Sequence, residues 1–170
     1  MNAQEAVKQQ LAFWHGISGQ VMGDCGSALN SRLSDAKVGS IASIYAHAVF
    51  AEDGIVNGVF VGKPLLYQEG GWEAKTGVKH PGGPMQSEDW ASSVNMDLGK
   101  FQEYAKAVFA QTESYTANLS DADLERKVQG PIGETTLGWF LVNILATHFP
   151  QHVGEIAALK GVQGLKGLPF

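Results

Sequence analysis

His148 and His152 stand four residues apart near the end of the 170-residue chain. On a helix that spacing puts both imidazoles on one face, with Cβ atoms ~5–6 Å apart, close enough to share one metal ion. Leu137, Leu141, Ile144, His148, His152, Glu155 and Leu159 fall on a single helical stripe. The apolar members of that stripe must face a core, so the histidines and Glu155 face it too. Burying two imidazoles and a carboxylate is costly unless each finds a partner. A shared cation satisfies all three, because neutral imidazole accepts at one nitrogen and is a common ligand. A metal-free hydrogen-bond network is the alternative use of the same residues.

His47 is the best third ligand. It shares a helical face with Ser43, Ala51, Gly54 and Gly58, small residues that would leave room for a pocket or allow close helix packing. Three protein ligands with an open position is the arrangement of a catalytic metal site rather than a closed structural one. Pro150 lies between His148 and His152 and removes the donor for the Ala146 carbonyl, so a kink is expected there; a full break would separate the pair. His15 lies off the apolar face of its helix and reads as surface or partner-facing. His80 is expected to be a solvated loop residue, with an acid/base role or a fourth ligand as the functional alternative. Cys25 reads as a buried small hydrophobe.

The elements that must position these residues are helical. The first thirty residues carry Val7, Leu11, Trp14, Ser18, Val21, Cys25 and Leu29 at three-and-four spacing. Gly16, Gly19, Gly23 and Gly26 weaken that helix but offer a close-approach groove. After a polar turn over Asn30 to Asp35, a second helix is predicted from Lys37 to Val61, with Ile41, Ile44, Tyr45, Ala48, Ile55, Val56 and Val59 as its apolar surface. Gly62 to Gln86 holds six glycines and three prolines, punctuation that no helix or long strand should survive. A crossover of this length is usually functional, and with Trp72 it is expected to form part of a pocket wall. A third helix starts at a Ser87 cap and runs through Tyr115. Asn118 to Gly133 is a connection in which Ser120 and Asp123 signal a short helix. The last helix starts at Thr135 or Thr136 and ends near Lys160, and an irregular tail follows. The predicted fold is therefore all-α: a four-helix bundle, one domain over residues 1–170, with a long Gly/Pro-rich crossover between the second and third helices.

Composition narrows the function classes. A net charge of −5 without a basic block argues against nucleic acid, whose phosphates need clustered Lys and Arg. One cysteine cannot form an internal disulfide, which fits a reducing compartment. The polar N-terminus lacks the apolar core of a signal peptide, and the longest apolar stretch, Leu137 to Ala146, falls short of the ~20 residues of a spanning helix. A cytoplasmic protein without a membrane partner is expected. Trp139, Phe140 and Val142 cannot all face one core, which predicts a homodimer.

The string HFPQHVGEIAALKGVQGLKGLPF (His148 to Phe170), together with a histidine in the second helix, resembles the DinB/YfiT-like superfamily. The resemblance spans nearly the whole chain in layout and is specific over the final 23 residues plus His47. It implies a four-helix bundle with crossover connections, often a homodimer. It also implies a divalent transition metal (nickel, zinc or iron) on His47, His148 and His152. Relatives of this type include mycothiol- and bacillithiol-dependent enzymes. A metal-dependent enzyme acting on a small molecule is therefore expected, plausibly transferring a low-molecular-weight thiol, with the ion favouring the thiolate and Glu155 beside the ligands or acting as a base. Metal-assisted hydrolysis with Glu155 as general base is the second reading, and a non-catalytic, stress-related binding protein of the same fold is the third.

Overall fold

The computed structural model describes residues 2–34, 37–82, 87–130 and 133–170. Asp35, Gly83, Pro84 and Gln86, at the ends of the predicted turn and crossover, lie outside the described residues.

Helix α1 (Ala3–Met22) starts where Asn2 Oδ1 accepts the Glu5 amide, a side-chain cap for an otherwise orphan donor. It ends eight residues before the sequence pattern suggests. The Lys160 ammonium, itself buried, donates to the Val21 carbonyl there and pairs with Asp24, and a 3₁₀ turn follows at Gly26–Ala28, with Gly26 at φ 51°. Space is open around Gly16 and Gly19, so the predicted glycine groove receives no helix. Cys25 is buried, as expected.

Helix α2 (Ile41–Asp53), capped by Ser40, is buried on all sides except at His47. It packs against both α6 and α9, so it is an internal helix rather than an amphipathic one. Its continuation, Gly54–Val61, is π-helical; the wider turn shifts the side-chain phase, so Val59 is 58% exposed while Phe60 is buried.

The glycine- and proline-rich crossover does hold helices, contrary to the sequence reading: α3 (Leu66–Glu69) and α4 (Trp72–Thr76). The fully buried Asp53 carboxylate accepts the Leu66 and Tyr67 amides at 3.1 Å each, Asn57 Nδ2 at 2.7 Å and the Tyr104 hydroxyl at 2.8 Å. It thus caps α3 from a distant helix, and Gly71 and Gly77, both at positive φ, bracket α4.

The predicted third helix is two. Ser87 caps α5 (Glu88–Ser93), and Asp97 caps α6 (Leu98–Ala117). Between them Asn30 pairs with the Met96 backbone in both directions, 2.8 Å to its amide and 3.2 Å to its carbonyl, which stabilises an extended break. Ser120 and Asp123 form the expected capping box on α7 (Asp121–Leu124). A hairpin that the sequence reading did not anticipate follows: β1 (Lys127–Gly130) pairs antiparallel with β2 (Gly133–Thr136), Val128 opposite Thr135. Thr136 caps α8 (Leu137–Phe140), which passes through π-helical turns at Leu141–Leu145 into α9 (Ala146–Val162). The structure is mostly helical, with α1 packed on α6 and α9, and no described helix is long and apolar enough to cross a membrane.

His15 corrects the sequence reading: it is buried, not surface-facing. Its ring stacks on Phe109 with centroids 3.9 Å apart. Nε2 lies 3.1 Å from Glu52 and Nδ1 lies 2.9 Å from Glu113. Carboxylates only accept, so both ring nitrogens must donate and the imidazole is cationic. Burial alone would lower its pKa; the hydrogen bond and charge of Glu52, then those of Glu113, outweigh burial and raise it. A value raised on folding means that the stabilisation is whole below the unfolded pKa of ~6.5 and is lost as pH rises through the folded value. His15→Phe should keep the stack yet leave Glu52 uncompensated, costing roughly 3–5 kcal/mol near neutral pH. Urea unfolding should show that loss shrinking when Glu52→Gln is added; an unchanged midpoint in His15→Phe would remove the ion-pair account.

Candidate metal centre

Two helices build the site. α9 supplies His148 and His152, and α2, packed against it, supplies His47. The pair survives Pro150 because the helix runs through it unbroken. Pro150 removes the amide that would bond the Ala146 carbonyl, and Gln10 Nε2, from α1, donates to that carbonyl at 3.2 Å instead. The π-helical turns just upstream sit where such irregularities often accompany functional sites. Neither compensation is visible in the residues around Pro150.

The three imidazoles converge through one kind of atom. His148 Nε2 lies 3.2 Å from His47 Nε2 and 3.1 Å from His152 Nε2. The rings are steeply inclined to one another, at 63–85°, so the nitrogens meet point to point instead of the faces stacking. His152 is buried, whereas His47 and His148 are partly so. On its other side, His152 Nδ1 lies 2.7 Å from Glu155 Oε2. A carboxylate cannot donate, so Nδ1 carries a proton, and in that tautomer of the neutral ring Nε2 is the lone-pair nitrogen that faces the cluster. The pKa of His148 is pushed down to about 4, by burial first and then by His152 and His47, so this ring is neutral near pH 7.

This donor set suits a cation better than it suits a hydrogen-bond network. Three imidazoles turned Nε2 to Nε2 can share few protons among those nitrogens. A divalent ion accepts all three at once. A tetrahedral zinc centre with bonds of ~2.0–2.1 Å keeps its nitrogens ~3.3–3.4 Å apart, close to the separations found. Among the described residues, His47, His148 and His152 form the group able to hold a metal. The His152–Glu155 bond is the usual carboxylate–histidine support of a metal ligand, fixing tautomer and ring orientation.

A cavity of about 250 Å³ opens beside the centre, with Ser43, His47, Trp90 and Glu155 in its wall. Of the small residues on the face of His47, Ser43 lines this cavity; Ala51 is buried, and Gly54 and Gly58 lie outside the lining. Among the described residues, the wall expected from the crossover comes instead from the segment before α2 and from α5. Trp72 packs on Tyr104 with the Lys75 ammonium 4.3 Å over its ring. His80 rests edge-on against Phe50, its Nδ1 accepting the Gly82 amide. Neither residue lines the cavity. Gln10, Arg32 and Trp90 were missed by the sequence reading, because no local spacing ties them to the histidines.

A family model described as the DinB superfamily matches residues 27–156, well over half of the chain and all three histidines. The chain belongs to the DinB superfamily. A crystal structure of a conserved protein from Enterococcus faecalis superimposes on this DinB chain with a TM-score of 0.79, covering 96% of this chain and 99% of that one at 16% identity. Identity that low shows a shared fold alone. No curated protein matches the chain.

If Glu155 orients His152, Glu155→Gln should weaken metal binding by ~10–100-fold while leaving the helical content intact. Competition against a chromogenic chelator measures this directly. An affinity equal to that of the parent would show that the carboxylate does not support the ligand.

Proposed function

We propose that this DinB-superfamily protein is a divalent-metal-dependent enzyme acting on a small molecule, and that its reaction is transfer of a low-molecular-weight thiol. His47, His148 and His152 are the ligands in this reading, for zinc, nickel or iron. The observation that carries it is the convergence of three Nε2 atoms, one with its tautomer fixed by Glu155, at the edge of a cavity. A bound divalent ion supplies the Lewis acidity that favours thiolate over thiol near neutral pH. The chain's own residues do the rest. Glu155, with its side chain 53% exposed and in the cavity wall, keeps Oε2 on His152 and has Oε1 to receive a proton. The cavity binds and orients the acceptor molecule.

The same reading takes the long helices as a four-helix bundle with a crossover, in a cytoplasmic homodimer. Trp139 and Val142, three residues apart and exposed at 41% and 43%, support a subunit contact there, since large apolar residues clustered on one helical face are usually covered.

Cobalt substitution tests the thiol assignment. Adding 2-mercaptoethanol to the cobalt-loaded protein should produce a near-ultraviolet sulfur-to-cobalt charge-transfer band, absent from a His148→Ala/His152→Ala variant. Bound cobalt whose spectrum ignores every thiol offered would refute thiol transfer. Metal-assisted hydrolysis would then stand, and it requires Glu155→Gln to abolish turnover at saturating metal.

A further inference from the structure

The cavity beside the histidines has a charged wall that the metal centre does not use. Arg32 and Lys37 line it together with the apolar Val38, Ile44, Trp90 and Ala91. Arg32 is held in place: its guanidinium donates to the Ser92 hydroxyl on α5, and its side chain is 31% exposed. The carboxylate paired with it among the described residues, Glu88, is 3.9 Å away and 77% exposed, too distant for a hydrogen bond and largely solvated. A guanidinium has five N–H donors in a planar fork, so most of this one remains available. Lys37 forms no ion pair with another described residue. Trp90 makes the apolar wall rigid, since its ring is 8% exposed and its Nε1 donates to the Lys79 carbonyl at 2.8 Å.

The other acidic group in the wall, Glu155, is committed to His152, and Glu88 is turned largely to water. Among the described residues, the positive charge in the wall is therefore the charge without a close carboxylate partner. It also sits at a defined distance from the metal centre. Lys37, Val38 and Gly39 precede the start of α2, and His47 stands six residues beyond Ile41, ~9 Å along the axis.

We propose that this cavity selects small molecules bearing a carboxylate, with Arg32 and Lys37 holding the anion while a short apolar spacer lies against Trp90 and Ile44. The other end of such a ligand reaches the histidines. That end of the proposal rests on the metal-dependent reading above, whereas the anion end rests on Arg32 and Lys37 alone. Planar, bidentate recognition of carboxylate is what an immobilised guanidinium does best, and a lysine beside it adds charge without demanding geometry.

The test compares 3-mercaptopropionate with its neutral amide, 3-mercaptopropionamide, by titration calorimetry on the zinc-loaded protein. The carboxylate should bind about tenfold tighter, as a charge-assisted pair allows. In Arg32→Gln/Lys37→Gln the preference should fall to about one while zinc content stays that of the parent. No preference in the parent, or a preference that survives the double substitution, overturns the proposal. A chain that takes up no zinc defeats the metal reading but not this one. On the metal-free protein, propionate must still shift the Arg32 Nε–H resonance where propionamide does not, and equal responses to the two would overturn the anion site as well.

Discussion

Bringing three imidazole nitrogens point to point makes exact demands on two helices at once. α9 must keep His148 and His152 in helical register past a proline, and α2 must lie close enough for His47 Nε2 to reach within 3.2 Å of His148. Much of the surrounding structure answers those demands. Gln10 satisfies the carbonyl that Pro150 leaves bare. π-helical turns bring α8 into α9. The near-complete burial of α2 holds it between α6 and α9. Without an ion, three nitrogens this close must share protons with one another; an ion would take all three lone pairs at once.

A second buried polar group sits away from this centre and has a different character. His15 bridges Glu52 and Glu113 through opposite ring nitrogens, so it is a structural cation joining α1, α2 and α6. In the triad, by contrast, the described carboxylate contact is to Nδ1 of His152, and the three Nε2 atoms turn toward one another. The same two residue types thus give a ring bridged on both sides in one place and, in the other, a ring with one nitrogen turned to neighbouring histidines. What separates them is whether acceptors flank both sides of the ring or only one.

The histidine cluster was legible in the sequence because it rests on helical periodicity: His148, His152 and Glu155 share a stripe whatever else the fold does, and His47 sits on an apolar helix. The features that escaped depend on contacts across the chain. Asp53 caps α3 from another helix, and Asn30 opens the gap between α5 and α6 from 66 residues away. His15 looked exposed because it departs from the apolar stripe of α1, but a stripe analysis assumes one buried face, and carboxylates on two neighbouring helices gave this histidine a second. The β1–β2 hairpin was hidden by its shortness and by its glycines, and the cavity wall by the distance in sequence between Arg32, Trp90 and His47.

A metal centre competes with a buried hydrogen-bond network as the use of the histidine cluster. Elemental mass spectrometry on untagged protein, beside a folded His148→Ala/His152→Ala variant, separates the two most directly. The account predicts near-stoichiometric zinc, nickel or iron in the parent and none in the variant. Parent protein that is metal-free as purified, and that also refuses added zinc and nickel, would contradict it.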